Sequence, residues 1–82
     1  MEVVLSDDAK KQLKRLPKTA RIKIFKKLDL LEKNPNSGKK LGGELSDFWS
    51  IRVWPYRIIY EIDIKLKRID VHRIAHRQGA YN

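Results

Sequence analysis

Arg52 and Arg57 flank Trp54-Pro55 in a stretch where apolar and polar side chains alternate. In an extended chain that alternation puts Trp49, Ile51 and Val53 on one face and Ser50 and Arg52 on the other. In the next segment Tyr56, Ile58, Tyr60 and Ile62 share a face, leaving Arg57, Ile59 and Glu61 opposite. If the larger apolar sets cover a core, the two guanidinium groups project together from the open face. Like charges side by side on a sheet repel. An anion between them removes that cost, and guanidinium forks match phosphate oxygens in geometry as well as charge. The alternative is that each arginine pairs with a nearby acid, Glu61 and Asp63 being the candidates.

The rest of the chain favours a polyanion as the ligand. Nineteen Lys and Arg stand against ten Asp and Glu, a formal net charge of +9, and each phosphate contact made by such a surface releases counterions. Nine basic residues, among them Lys10, Lys14 and Lys18, lie between Lys10 and Lys27 with no acid among them. Carboxylates spaced for i, i+4 pairing are missing from this run, so its repulsion is unrelieved, and contact with RNA or an acidic partner is expected. Arginine stays protonated near neutrality, so a proton carrier for any reaction at this site must be a tyrosine, a histidine, a carboxylate or water. His72 and His76 are the only histidines. His72 reads as a surface residue of the last strand, and His76 adjoins Arg77. Two histidines four apart on a strand lack the third ligand and the geometry for zinc, so neither a metal nor a cofactor is expected. Trp49 reads as core by its parity and Trp54 as a possible stacking platform.

The elements that must position these groups are short. Eighty-two residues, 41% hydrophobic and 35% charged, suit a single domain spanning 1–82, too apolar for a disordered tail. No apolar run approaches the roughly 18 residues of a membrane span, and the N-terminus lacks a signal-peptide layout, so a cytoplasmic protein with no membrane partner is expected. Cysteine is absent, so packing or a bound partner must stabilise the core. Glu2 to Leu5 reads as a strand. Ser6 caps a helix that carries Ala9, Leu13 and Leu16 on one face and ends at Pro17. Thr19 offers a second cap for a longer helix to about Lys33, with Ile24, Leu28 and Leu31, and Phe25 beside them, as its apolar stripe. The short link between the two helices predicts an antiparallel hairpin, and Lys39 to Asp47 reads as loop. The period then changes to two, and Phe48 to Val53, Tyr56 to Ile62 and Arg68 to Ala75 read as an antiparallel meander. The expected fold is α+β, in the order β-α-α-β-β-β, with the helical hairpin packed on an antiparallel sheet.

Leu41-Gly42-Gly43, Trp49-Ser50-Ile51-Arg52-Val53, Tyr56-Arg57-Ile58-Ile59-Tyr60 and His76-Arg77-Gln78-Gly79-Ala80-Tyr81 resemble the RelE-type toxins of the RelE/ParE superfamily. The order of elements upstream agrees with that family too. The resemblance implies a compact domain related in architecture to microbial ribonucleases, acting on mRNA in the ribosomal A site. It implies that Arg57 and Arg77 hold and neutralise the scissile phosphate, that Arg52 orients the RNA, and that Tyr81 stacks on a base or assists proton transfer. Ser50, His76 and the lysines Lys10, Lys14 and Lys18 would add RNA contacts. A cognate antitoxin is the implied protein partner, with DNA engaged only through the antitoxin complex. Two positions depart from the pattern. Ser50 stands where well-studied ribosome-dependent members carry a lysine, and Trp54-Pro55 replaces a glycine-containing turn, so the hairpin is not expected to be a simple primed turn.

Three readings follow. The first is a ribosome-dependent mRNA endonuclease. The second keeps the fold but poisons DNA gyrase, as relatives in the superfamily do. The third is a non-catalytic module that binds RNA or the ribosome.

Overall fold

The computed structural model describes residues 1–43 and 47–76. Strand β1 (Glu2–Leu5) leads into helix α1 (Asp7–Arg15), and helix α2 (Lys18–Lys33) follows after one turn of chain. A 3₁₀ turn (Pro35–Ser37) precedes the two-residue strand β2 (Lys39–Lys40), and the chain closes with β3 (Trp49–Val53), β4 (Tyr56–Asp63) and β5 (Arg68–His76). The five strands form one sheet in the order β1-β5-β4-β3-β2. The expected α+β fold and order of elements are therefore present, with two corrections. The sheet is mixed, because β1 runs parallel to β5, Glu2 opposite Arg68 and Leu5 opposite Val71. Lys39 and Lys40, read as loop, pair with Ser50 and Trp49; two exposed lysines carry no alternation to betray a strand, and lysine at a sheet edge discourages pairing with another chain.

Both helices lie on one face. α1 rests on β5 and β1, and α2 on β1 and β3. Ala9 and Leu13 of α1 and Ile24, Leu28 and Leu31 of α2 bury against Ile51, Val53, Ile58, Tyr60, Ile69, Val71 and Ile74 of the sheet. Phe25 does not join them, being 50% exposed. Ser6 caps α1 as expected, accepting from the Ala9 N–H at 3.0 Å, and its hydroxyl donates to the His72 carbonyl at 2.6 Å. Thr19 is no cap: α2 begins at Lys18, its N-cap is Pro17, and no side chain caps it. Proline fixes φ near the value a helix start requires, so the chain can enter the helix without a hydroxyl. No helix among the described residues is long and apolar enough to cross a membrane.

The ladder between β4 and β5 slips by one residue. Ile59 faces Arg73 and Tyr60 faces Val71, so His72 is the extra residue of a bulge. Beside it the Ile74 N–H donates to Gln12 Oε1 of α1 at 2.7 Å. Gln12→Leu would remove that acceptor from a buried backbone donor, and a loss of about 1–3 kcal/mol is expected, to be read as a lower urea midpoint with an unchanged slope.

Tyr60 ties the far end of the molecule together. Its hydroxyl donates to the Pro35 carbonyl at 2.9 Å and accepts from the Gly38 N–H at 3.2 Å. Burial of the ring pushes its pKa above the usual tyrosine value, the Gly38 hydrogen bond opposing that rise. A folded-state value raised above the unfolded one contributes stability that is complete below the ordinary tyrosine range and is lost as pH rises through the folded value.

Candidate functional site

The register of β3 on β4 sets Arg52 directly opposite Arg57. Neither belongs to the helix-facing cluster, whose members on these strands are Ile51, Val53, Ile58 and Tyr60. Strand alternation therefore sends both guanidinium groups to the sheet face away from the helices, as the sequence predicted. Arg52 is exposed and Arg57 half-buried. The connection between the two strands contains a cis Trp54-Pro55 peptide, and Val53 faces Tyr56 across it. The Arg52 guanidinium carbon lies 6.0 Å from the centre of the Trp54 ring. Of the acids considered as internal partners, Glu61 receives His72 Nε2 on Oε1 at 2.7 Å, and Asp63 Oδ1 accepts from the Leu66 N–H at 3.0 Å.

The other expected residues distribute unevenly. Arg77 and Tyr81 lie outside the described residues. Ser50 shares the arginine face by parity, but it is buried at 4% exposure rather than open to a ligand, and its Oγ has no hydrogen-bond partner among the described residues. Ser50→Ala removes an unsatisfied buried hydroxyl at almost constant shape. A stabilisation of about 1 kcal/mol is expected, measured by thermal or urea unfolding. His76 ends β5 on the helix side: it faces Tyr56, and the two rings meet in a T-shaped contact with their centres 5.5 Å apart. The same alternation that gives Ile74 to the core puts His76 on the core side too, away from the arginines. Lys10, Lys14 and Lys18 are exposed but belong to the helical layer, so the structure does not gather them with Arg52 and Arg57.

Two features of the arginine face escape a reading by simple alternation. Arg73 lies across from Ile59, two residue pairs along from Arg57 and Ala75, which adds a third arginine to this face. Next to it His72 and Glu61 form a half-exposed pair, with the Phe48 ring set edge-on to the imidazole at 5.0 Å. The bulge is what brings His72 and Arg73 to the same face in succession, and strict alternation would have separated them. Among the described residues no group of three His, Cys, Asp or Glu is placed to hold a metal ion. The face is cationic in character, carrying Arg52, Arg57 and Arg73, with a carboxylate-bound imidazole further along.

Comparison with known proteins agrees with this fold. A family model described as the ParE toxin of type II toxin-antitoxin system, parDE, matches residues 3–81. No curated protein sequence gives a significant match. Among solved structures, a chain of the toxin-antitoxin complex RelBE2 from Mycobacterium tuberculosis superposes with a TM-score of 0.85 at 28% identity, over 93% of this chain and 96% of that one. A chain of the archaeal RelE-RelB complex from Pyrococcus horikoshii OT3 gives 0.78 at 28% identity, over 93% of each chain. The YoeB/ParE toxin from Agrobacterium tumefaciens gives 0.78 at 19% identity, over 93% of this chain and 98% of that one, a likeness of fold.

Proposed function

Because this chain belongs to the ParE toxin family and is the toxin of a type II toxin-antitoxin system, we propose that it arrests growth as a metal-independent endoribonuclease cutting mRNA on the ribosome. The observation that carries this reading is the cross-strand pair Arg52 and Arg57 on the sheet face that the helices leave open. Attack of a ribose 2′-OH on the adjacent phosphorus concentrates negative charge on the phosphorane oxygens. Donors already in place for that charge stabilise the transition state more than the ground state. Arg57, with Arg77, neutralises it, and Arg52 orients the strand. Tyr81 stacks on a base or assists proton transfer, and the His72–Glu61 pair, absent from the sequence expectation, is a second group able to carry a proton. Lys10, Lys14 and Lys18 form a separate basic surface on the helical side, suited to ribosomal RNA.

A cognate antitoxin is the expected protein partner, since two of the similar structures are complexes with antitoxins. The gyrase-poisoning reading is favoured by one observation: the residue where ribosome-dependent relatives carry a lysine is here a buried serine, Ser50. Mapping transcript 5′ ends after brief induction separates the two. Cuts at fixed positions within codons are expected. Intact transcripts with a DNA-damage response would replace this reading with the gyrase one.

A further inference from the structure

The register extends the arginine face to β2. Lys39 pairs with Ser50, Ser50 with Ile59 and Ile59 with Arg73, so these residues form one row across β2, β3, β4 and β5. Arg52, Arg57 and Ala75 form the next row, about 6.8 Å along the strands. Residues directly paired in an antiparallel ladder leave the sheet on the same face. Lys39 therefore projects with the arginines. Lys40 pairs with Trp49 and projects to the helix side, where it lines a hollow with Asn36 and Asp47. The two rows contain Lys39, Arg52, Arg57 and Arg73 and no carboxylate. Between these cations Ser50, Ile59 and Ala75 form a buried, uncharged floor. Glu61, two residues beyond Ile59, is already bonded to His72. Lys39 is exposed, and among the described residues no hydrogen bond or ion pair engages its ammonium group. Guarding the sheet edge asks only for charge, which either lysine provides. It does not explain why Lys39 stands at the end of a row without an acid.

We propose that Lys39 is an RNA-binding residue of this face, holding a backbone phosphate of a single strand next to the phosphate at Arg52 and Arg57. The cations stand on three successive strands, Arg57 on β4, Arg52 on β3 and Lys39 on β2. A chain of phosphates meets all three by crossing the sheet. An acidic peptide added to the β2 edge would run along that edge, and of the three it would meet Lys39 alone. The uncharged floor beneath the phosphates lowers the local dielectric and so strengthens their attraction to the cations. That the strand is message rests on the nuclease reading; the contact itself does not.

The test uses the full chain and a fluorescein-labelled ten-nucleotide single strand with 2′-O-methyl ribose throughout, which lacks the attacking hydroxyl and survives the assay. Fluorescence anisotropy should show Lys39→Ala weakening binding roughly 3- to 10-fold. The slope of log affinity against log salt should fall by about 0.7, the value of one phosphate contact on a single strand. Lys39→Arg keeps the cation and should retain most of the affinity. Lys40→Ala removes the neighbouring charge from the other face and should change neither affinity nor slope. Circular dichroism of each variant checks the fold. A loss confined to Lys39→Ala, found together with intact cellular transcripts, would uphold the contact and reject the nuclease reading. Equal losses in folded Lys39→Ala and Lys40→Ala would reduce both lysines to unspecific charge and overturn the contact even where cutting persists. So would failure of the parent chain to bind the oligonucleotide, or an acidic peptide that binds through Lys39 and that the oligonucleotide fails to displace.

Discussion

Arg57→Ala should abolish growth arrest while the protein keeps its fold. The side chain leaves β4 on the face away from the core, and the backbone bonds of that rung with Arg52 and Ala75 do not depend on it. Loss of one preorganised donor to a developing oxyanion typically costs on the order of 10²–10³ in rate. A toxin that slow no longer outpaces the synthesis of new message. Arg57→Lys keeps the charge but not the forked geometry and should retain partial activity. The measurements are colony recovery after induction, transcript 5′-end yield, and a thermal midpoint close to that of the parent. Full toxicity in a folded Arg57→Ala protein would remove the phosphate clamp from the mechanism.

Gly38→Ala should destabilise the fold more than any surface substitution, for reasons of space alone. Gly38 follows the 3₁₀ turn with an extended backbone, φ −83° and ψ −171°, so its conformation is open to any residue. A Cβ there would collide with the Tyr60 hydroxyl and lie 2.8 Å from the Ser50 carbonyl oxygen. Tyr60 is fully buried and the carbonyl is backbone, so neither can swing aside. Overpacking of this kind costs about 1–3 kcal/mol, or a fall in Tm of roughly 5–20 °C for a domain of this size. Tyr60→Phe removes one of the two obstacles and should leave the Gly38→Ala protein well short of recovery, because the carbonyl remains. A Tm for Gly38→Ala equal to that of the parent would show that the turn yields where the packing says it cannot.

Much of this arrangement was legible in the residues. A period of two fixes which side chains of β3 and β4 share a face, so the pairing of Arg52 with Arg57 needed only the hairpin between them. The stripe of Ile24, Leu28 and Leu31 identified the buried side of α2. Other features depend on contacts between distant parts of the chain. The bulge at His72 lies beside a bond from Ile74 to Gln12, far apart in sequence. Local alternation therefore could not place Arg73 and His72 on the arginine face or pair Glu61 with an imidazole. Ser50 looked open because parity gives direction and not cover. Phe25 looked buried because it neighbours the stripe, yet the next residue on a helix points about 100° away. Four residues of β1 contain no sign of which strand they join, so only the tertiary structure reveals their parallel partner.

That parallel pairing governs the order in which the domain can assemble. Glu2–Leu5 are synthesised well before the strand beside which they lie, Arg68–His76. Until then the opening strand has no ladder to join, and α1, which rests on that same late strand, lacks its floor. The helical layer and β1 therefore settle only once β5 has been made, so the domain closes on its last strand.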